Sequence, residues 1–435
     1  MDLDFRAWQI RRCQWERGSS ACNGQDAHPH SRKTNPMHLV SLRPLEPVPI
    51  DHEGERLIAF RDSAGLVSGV VMVRPAAYVL VSLLDGTRTK QEALAEFAAR
   101  TGAMVELETL DALIEQLEQA LIMDGPRARQ ALAAMPERPA AHAGSAYPAE
   151  PDELTGFLEA LLARERPPKP PAPLSGLLTP HIDLRRGAES YAMAYNSLID
   201  GLGENDTFVV LGISHAPCRQ PFILTRKPFE TPFGCLEPDL DLIEELVQGC
   251  DFDPFQDEYN HLGEHSVEFQ NVFLAYLEQL SGRRLKTVPI LCGSFHEAIL
   301  ERKSPLEIPG VASFLASLKS AVRKRPGRVC LIAGADLAHK GVRFGEPPLD
   351  RDFLSQLELA DLESLRHCEQ GDYDAFFATH QADRGERNYC GTSAIYTMLH
   401  CLEGQPGVLH RYQQCNEPGE ISTVTVAAAS YYRFP

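Results

Sequence analysis

The sequence of 435 residues lacks several features that would assign it to a common class. No stretch approaches the ~18 consecutive apolar residues of a membrane-spanning helix. There is no GxGxxG or GK[ST] loop of the kind that cradles phosphates, and no HExxH pattern of the kind that binds zinc in peptidases. These absences argue against a helical membrane protein and against the usual nucleotide-binding folds, and they rank zinc hydrolysis below other metal chemistry.

Positive charge is also scarce. The chain has 42 Lys and Arg residues against 60 Asp and Glu residues, which gives a formal net charge of -18. Nucleic acids and anionic lipid surfaces are polyanions, so a surface with this surplus of carboxylates does not attract them. We therefore expect neither a nucleic-acid partner nor a membrane partner.

The cysteines show no metal-binding or disulfide pattern. Eleven are scattered along the chain without CxxC spacing. An odd number of cysteines in a long chain argues against a disulfide framework. No apolar signal segment follows the basic residues at the N-terminus. We expect a cytoplasmic protein with reduced thiols.

The first 36 residues differ from the rest of the chain. They contain both of its tryptophans and then a polar, turn-rich stretch without periodicity. We interpret residues 1–36 as a disordered extension or as the result of a start codon assigned too early, with Met37 as the true start. Cys22, His28 and His30 could be drawn as a metal cluster, but so irregular a segment does not favour one.

Residues 37–135 are predicted to form a small winged-helix-like α+β domain. The stretch LIAFRDSAGLVSGVVMV suggests two short strands around a turn. Thr87 or Thr89 can cap a following helix, with Glu92 near its third position and Gly102 at its end. A second helix, over about 106–123, places leucines on one face.

Residues 136–435 are predicted to form a larger α/β domain. A helix starts at Pro151, and the proline-rich segment 167–173 is a stiff, extended connector. From Leu174 onward, apolar strands alternate with amphipathic helices. This alternation predicts a mainly parallel or mixed sheet flanked by helices.

Three of the predicted strands end in residues that could carry chemistry. Their sequences are SGLLTPHID, TFVVLGISHAP and GRVCLIAGADLAH. Ligands bind beyond the carboxyl ends of strands in open α/β sheets. We therefore expect these ends to converge on one metal site. The side chains at the ends are His181 and Asp183, then His215, then Asp336 and His339.

Two further residues are candidates for the same site. His265 opens an amphipathic helix and either points into the cleft or lies exposed beside the helix cap. Cys390 precedes another helix, where its thiol either has a lowered pKa or is a small buried hydrophobe. The other histidines are interpreted as surface or structural residues. This group includes His52, His142, His296, His367, His380, His400 and His410.

Several motifs together resemble the Memo family, also known as AmmeMemoRadiSam system protein B. From about residue 138 onward they are AGSAYP, TPHIDLRRG, LGISH, TPFG, EHSVEFQ, VPILCG, GADLAHKG and NYCGTSAIY. The family's fold is similar to that of the class III extradiol ring-cleavage dioxygenases, which are non-haem iron enzymes. The resemblance implies metal ligands at His181, His215 and Cys390. It places Asp336, His339 and His265 in the same pocket.

The sequence departs from those dioxygenases at the metal. They hold iron with two histidines and a carboxylate, whereas here the third ligand is a thiolate. Ala216 also stands where human Memo relatives have a second histidine. A softer ligand set favours one iron or copper ion, with zinc as the candidate for a hydrolytic or structural role.

The leading functional hypothesis is a metal-dependent oxidoreductase that acts on a small molecule or a peptide. His265 or His339 would act as general acid/base, with Asp336 orienting His339. The family name suggests work beside a radical-SAM protein. The segment from Pro75 to Gly102 resembles the PqqD-like domains, which recognise peptides. The alternative is a non-enzymatic adaptor or metal carrier that binds peptides on a degenerate dioxygenase fold.

Overall fold

The computed structural model describes residues 11–13, 41–62, 65–67, 69–417, 419 and 421–433. The chain divides into two compact units, Met1–Met135 and Pro136–Pro435. Met37, Cys22, His28 and His30 lie outside the described residues. Within the described residues, no helix combines the length and the apolar composition needed to cross a lipid bilayer.

The N-terminal unit is an α+β fold. Its four-stranded antiparallel sheet has the order β1-β4-β3-β2. β2 was not predicted, because its prolines are typical of a loop, but an edge strand tolerates them. The strands are β1 (Arg11–Cys13), β2 (Glu46–His52), β3 (Glu55–Arg61) and β4 (Val70–Val73). The helices are α1 (Pro75–Val81), α2 (Lys90–Thr101), α3 (Leu107–Gln119) and α4 (Pro126–Ala134).

The predicted ends of α2 are confirmed. The Thr89 hydroxyl accepts a hydrogen bond from the backbone N–H of Glu92, and the Glu92 carboxylate accepts one from the backbone N–H of Thr89. Gly102 ends the helix in the left-handed region at φ +69°, where a side chain would add strain. The core of the unit contains buried residues of α2 and α3, among them Phe97 and Leu113.

The C-terminal unit contains a ten-stranded mixed sheet with helices on both faces, which confirms the predicted α/β class. The strands are β5 (Leu174–Thr179), β6 (Thr207–Ile213), β7 (Phe222–Leu224), β8 (Phe229–Thr231), β9 (Gly234–Pro238), β10 (Lys286–Cys292), β11 (Val329–Gly334), β12 (His339–Gly341), β13 (Gly407–Asn416) and β14 (Ser422–Tyr432). The helices are α5 (Pro151–Leu162), α6 (Ala188–Asp200), α7 (Leu240–Gly249), α8 (Asn260–Gly263), α9 (His265–Ser281), α10 (His296–Glu301), α11 (Val311–Arg323), α12 (Arg351–Glu369), α13 (Tyr373–Ala382) and α14 (Thr392–Cys401).

The centre of this sheet is parallel. β5, β11, β6 and β10 lie side by side in that order and run in the same direction. On one side β14 lies antiparallel beside β5, and on the other β9 lies parallel beside β10. All residues of β5, β6 and β11 are buried, which explains their unbroken apolar sequences. The carboxyl ends of the four parallel strands therefore meet at one edge of the sheet.

Apolar cores on both faces hold the sheet in place. Val209 and Leu211 of β6 belong to one core, with Phe314 of α11. Phe208 and Val210 belong to the other, which includes residues of α6 and α9. Successive residues of β6 enter alternate cores because successive side chains of a strand point to opposite faces of the sheet.

Several elements of the C-terminal unit were not predicted: the short strands β7, β8, β9 and β12, the short helices α8 and α10, and the longer elements β13 and α13. Among the described residues β13 pairs only with β14, and it is mostly half-buried, so its sequence carries no clear alternation. α13 is separated from α12 by a short turn at Gly371, φ +70°. His339, expected just beyond the end of a strand, itself begins the short strand β12.

Candidate metal centre

His181 lies two residues beyond β5 and is 2% exposed. Its Nδ1 lies 2.8 Å from the carbonyl oxygen of Gly334. A carbonyl only accepts, so Nδ1 carries the proton and Nε2 keeps its lone pair. Burial lowers the pKa of His181 to about 4. The ring is therefore neutral at physiological pH and has one nitrogen available as a ligand.

His215 follows β6 and is oriented by Glu264. Its Nδ1 lies 3.0 Å from each carboxylate oxygen, and its backbone N–H donates to Oε2 at 3.1 Å. Burial acts to lower the pKa of His215. The hydrogen bond to Glu264 and the negative charge of that carboxylate outweigh burial, so the pKa of His215 is raised overall. The bond to Nδ1 leaves Nε2 of His215 available as a ligand.

His265 is the first residue of α9 and shares the same carboxylate. Its Nδ1 lies 3.1 Å from Oε1 of Glu264. Its ring stacks on that of His215 with centroids 4.9 Å apart and meets the ring of His181 edge-on at 5.3 Å. One nitrogen from each of the three rings lies within 4.8 Å of the others. The structure thus places His265 in the cleft rather than beside the cap in solvent.

Glu264 is the functional residue that the sequence interpretation underused. Its carboxylate is buried, caps α9 by accepting the N–H of Ser266, and contacts both His215 and His265. Burial acts to raise the pKa of Glu264, but its bonds to the two histidines lower it well below the ordinary value. A carboxylate that orients ligand imidazoles is a common feature of metal sites. The acid directly before a histidine in EHSVEFQ was the available signal.

Cys390 lies beside His181. Its Sγ is 3.5 Å from Nε2 of His181 and 3.6 Å from the carbonyl oxygen of Asp336. Of the two alternatives for Cys390, a lowered thiol pKa does not hold in the metal-free protein. Burial and the charge of Asp336 raise the pKa of Cys390 well above its ordinary value. α14 begins only at Thr392, so Cys390 lies outside the helix.

Asp336 orients His181 rather than His339. Its Oδ1 accepts the backbone N–H groups of His181 at 2.8 Å and Ile182 at 3.0 Å. Its Oδ2 lies 3.8 Å from Nε2 of His181. The Nδ1 of His339 instead lies 3.0 Å from the carbonyl oxygen of Leu337. Burial lowers the pKa of His339, which favours its neutral form.

A buried ion pair supports the start of α9. Arg138 bonds to Glu268 and to the backbone carbonyl oxygen of Glu264 at 2.8 Å. His142 lies 2.8 Å from Glu268 through Nδ1, and its ring is 5.8 Å from that of His265. Burial acts to raise the pKa of Glu268, but His142 and Arg138 lower it to about 2. His142, which the sequence interpretation set aside, is thus a neighbour of the site.

The family assignment rests on sequence comparison as well as on this geometry. Residues 138–432 match the model of the family described as Memo-like protein, and this region includes every residue predicted for the site. The chain belongs to the Memo family. The region that matches coincides with most of the C-terminal unit, so the site lies entirely within the Memo region.

The chain is similar to MEMO1 family proteins of bacteria and archaea. The chain is 28% identical to a MEMO1 family protein of Aquifex aeolicus over 395 residues, which is 87% of this chain and 96% of the relative. It is 30% identical to a MEMO1 family protein of Thermus thermophilus over 344 residues, 78% of this chain and 97% of the relative. Both matches are longer than the Memo-like region itself, so they include part of the N-terminal unit.

Two cavities of the Memo region flank the site. An open cleft of about 620 Å³ is lined by His215 and the loop that follows it. A more enclosed cavity of about 230 Å³ is lined by Cys390 and by His296 and His380. These two histidines were also interpreted as structural or surface residues. Ser214 lines both cavities, so both lie next to the converging strand ends.

Proposed function

We propose that this Memo protein binds one transition metal ion through His181, His215 and Cys390 and acts as a metal-dependent oxidoreductase on a small molecule or a peptide. The observation that carries the proposal is the convergence of these side chains with His265 at one sheet edge. Three imidazole nitrogens lie within 4.8 Å of one another, and the thiol lies 3.5 Å from the first of them.

The donor atoms suit a metal ion. The Nδ1 atoms of His181 and His215 are already bonded, to a carbonyl and a carboxylate, so each ring presents Nε2. A backbone or carboxylate partner on the second nitrogen is the usual arrangement around a metal-binding histidine. Two imidazoles and a thiolate favour iron or copper, and zinc is the third candidate. Three protein ligands leave a position open for substrate.

The bound ion would supply Lewis-acid and electron-transfer chemistry at this edge of the sheet. The protein's own groups would move protons. We assign His265 to the acid/base role. Its side chain is 33% exposed, so substrate can reach it, and its Nδ1 lies 3.1 Å from the buried carboxylate of Glu264. His339 is the second candidate, and its half-buried, neutral ring can accept a proton. Asp336 holds the backbone of the His181 loop in place.

The partner and the compartment are also proposals. The family's name supports a radical-SAM protein as the partner. The N-terminal unit, with its α+β fold, is the proposed place for peptide recognition. The nine cysteines of the C-terminal unit are all free thiols, which supports the cytoplasm, where thiols stay reduced.

Oxygen uptake by the iron- or copper-loaded protein, with ascorbate as the reductant, tests the enzymatic role. We expect metal-dependent uptake that falls at least tenfold in His265→Ala while the bound metal is retained, because general acid–base groups contribute about 10²–10⁴-fold to rates. Uptake that is equal in wild type and in His265→Ala would contradict the acid/base assignment. Tight metal binding without any uptake would favour the adaptor or metal-carrier hypothesis.

A further inference from the structure

A buried carboxylate outside the proposed ligand set joins three segments of the Memo region. It belongs to Asp361 of α12, which is 0% exposed. Its Oδ1 lies 3.0 Å from a guanidinium nitrogen of Arg387, and its Oδ2 accepts the hydroxyl groups of Thr425 at 2.7 Å and of Tyr412 at 3.1 Å. Groups in such a buried network hold one another in place, because a polar group that loses its partner is costly in a low dielectric. Two of these partners lead to the metal site.

Arg387 connects this carboxylate to the loop that carries Cys390. It lies three residues before Cys390 and is 7% exposed. Besides bonding to Asp361, its guanidinium donates to the carboxylate of Asp383 at 2.5 Å and to the hydroxyl of Ser364 at 3.0 Å. All three guanidinium nitrogens are thus bonded, which fixes the planar fork in one orientation. The Cys390 loop is therefore anchored to α12.

Thr425 of β14 connects the same carboxylate to the segment from Asp336 to His339. Thr425 is 0% exposed, and its hydroxyl accepts the backbone N–H of Ala338 at 2.9 Å while donating to Asp361. Its backbone N–H also donates to the carbonyl oxygen of Ala338 at 2.9 Å. Ala338 directly precedes His339, so Thr425 joins this segment of the site to Asp361.

The two segments also meet directly beside Cys390. The backbone N–H of Gly391 donates to the carbonyl oxygen of Asp336 at 3.0 Å. The backbone N–H of His339 donates to the carbonyl oxygen of Arg387 at 3.0 Å. The same Asp336 oxygen lies 3.6 Å from Sγ of Cys390. Cys390 thus lies in a closed set of hydrogen bonds whose other side is the buried carboxylate, and a shift of either segment would move its sulfur relative to the histidine ligands.

We propose that Asp361 is a positioning residue for Cys390. Through Arg387 and Thr425 it holds the thiol where a metal ion can be shared with the two histidine ligands. Stability alone does not account for this cluster, because a buried ion pair is commonly no more stabilising than apolar residues of the same size. The role at a metal rests on the proposed function, whereas the connection from Thr425 to the Cys390 loop does not.

Thr425→Val tests the proposal in full-length protein loaded with Co²⁺. The substitution keeps the shape of a residue that is itself no ligand and replaces the hydroxyl that bonds to Asp361 by a methyl group. We expect the sulfur-to-Co²⁺ charge-transfer absorption to weaken or shift. The Co²⁺ affinity should fall about three- to tenfold, the loss of one hydrogen bond. Thr425→Ser keeps the hydroxyl and should keep both the band and the affinity.

Thr423→Val is the matched control on the same strand. The hydroxyl of Thr423 is buried and has no hydrogen-bond partner in the described part of the chain, so the substitution breaks no such bond. We expect a band and an affinity equal to those of wild type. Far-UV circular dichroism of every variant checks that the fold persists.

Arg387→Lys tests whether Asp361 is the common point of the network. Lysine keeps the charge but not the planar fork, so the Co²⁺ affinity should fall. Substitutions within one hydrogen-bond network are not additive. The double variant with Thr425→Val should therefore lose less affinity than the product of the two single losses. A loss equal to that product would show that the two residues act independently, and it would overturn the role of Asp361.

Hydrogen exchange of the metal-free protein separates this proposal from the proposed function. The amide of Gly391 should exchange faster in Thr425→Val than in Thr423→Val. Wild type that binds no Co²⁺ contradicts the proposed function, and faster exchange then keeps the connection to the Cys390 loop. Wild type that binds Co²⁺, with the same band and affinity in Thr425→Val, overturns the positioning role and leaves the proposed function. Equal exchange in the two valine variants overturns the connection in either case.

Discussion

Both carboxylate oxygens of Glu264 lie 3.0 Å from Nδ1 of His215. The same carboxylate reaches Nδ1 of His265 at 3.1 Å. One buried acid therefore fixes the orientation of two imidazoles that come from different elements, the end of β6 and the start of α9. The consequence is that the site depends on Glu264 although this residue is not itself among the proposed ligands.

Replacement of Glu264 by glutamine should weaken metal binding by about 10–100-fold, the usual effect of losing a carboxylate partner of a ligating histidine. The amide keeps the size of the side chain and removes its charge. Competition against a zinc chelator measures the affinity. Glu237→Gln, an exposed acid on β9, is the matched control. Equal affinities for wild type and Glu264→Gln would show that the carboxylate is only a helix cap.

Cys390→Ser should remove the sulfur-to-metal charge-transfer absorption from protein loaded with Co²⁺ or Cu²⁺. The substitution keeps the size of the side chain, but a hydroxyl does not become the soft anionic ligand that a thiolate is. Absorption spectra of the loaded proteins provide the measurement. Cys235→Ser, a half-buried cysteine on β9, should leave the band intact. A band that persists in Cys390→Ser would remove the thiolate from the ligand set.

Gly391→Ala should loosen the metal site while the fold persists. A Cβ at Gly391 would lie 2.4 Å from the carbonyl oxygen of Asp336 and 2.7 Å from the Cβ of Ala335, so the backbone beside Cys390 must move. We expect lower metal affinity at unchanged far-UV circular dichroism. Gly156→Ala, on α5 with no atom within 4 Å of its added Cβ, should instead stabilise by about 0.5–1 kcal/mol. Unchanged metal affinity in Gly391→Ala would contradict the tight packing.

Acid should weaken the fold through Glu268. Its folded pKa of about 2 lies below the ordinary 4.5, so the unfolded chain binds the proton more readily. The stabilisation is complete above about pH 4.5 and is lost as the pH falls towards 2. It amounts to about 3 kcal/mol, at 1.36 kcal/mol per pKa unit. Glu268→Gln removes this contribution and leaves Arg138 unpaired.

Urea unfolding of wild type and Glu268→Gln at several pH values measures the effect. The variant should be less stable at pH 6 by about 3–5 kcal/mol, because it leaves a buried charge uncompensated. This difference in the free energy of unfolding should shrink as the pH falls below about 4.5. Glu237→Gln, at an exposed position on β9, is the matched control. A Glu268→Gln difference that is independent of pH would contradict the lowered pKa of this carboxyl.

The sequence predicted the central strands well because their signal is local. β5, β6 and β11 are buried on both faces, so each is an unbroken apolar run. Their shared direction brings their ends together, and the structure does bring His181 and His215 within 5.2 Å, centroid to centroid. β13 was missed because, in the part of the chain that the structure describes, it pairs with β14 alone and lacks a fully buried face.

The contacts around the site were harder to predict because they join residues far apart in the chain. Asp336 was expected to orient His339, its neighbour in sequence, but it bonds to the backbone of His181, 155 residues away. Arg138 reaches Glu268 across 130 residues. Sequence spacing indicates only which residues share an element, so pairings between elements emerge from the packing of the sheet and its helices.

Metal content per chain tests the central claim most directly. Untagged protein would be purified anaerobically and analysed by plasma mass spectrometry beside His181→Ala, Cys390→Ala and the control His410→Ala. The proposed site predicts about one iron or copper ion per chain in wild type and control, and loss of the metal in the two site variants. Wild type that takes up no metal, or site variants that retain it fully, would contradict a metal centre at these residues.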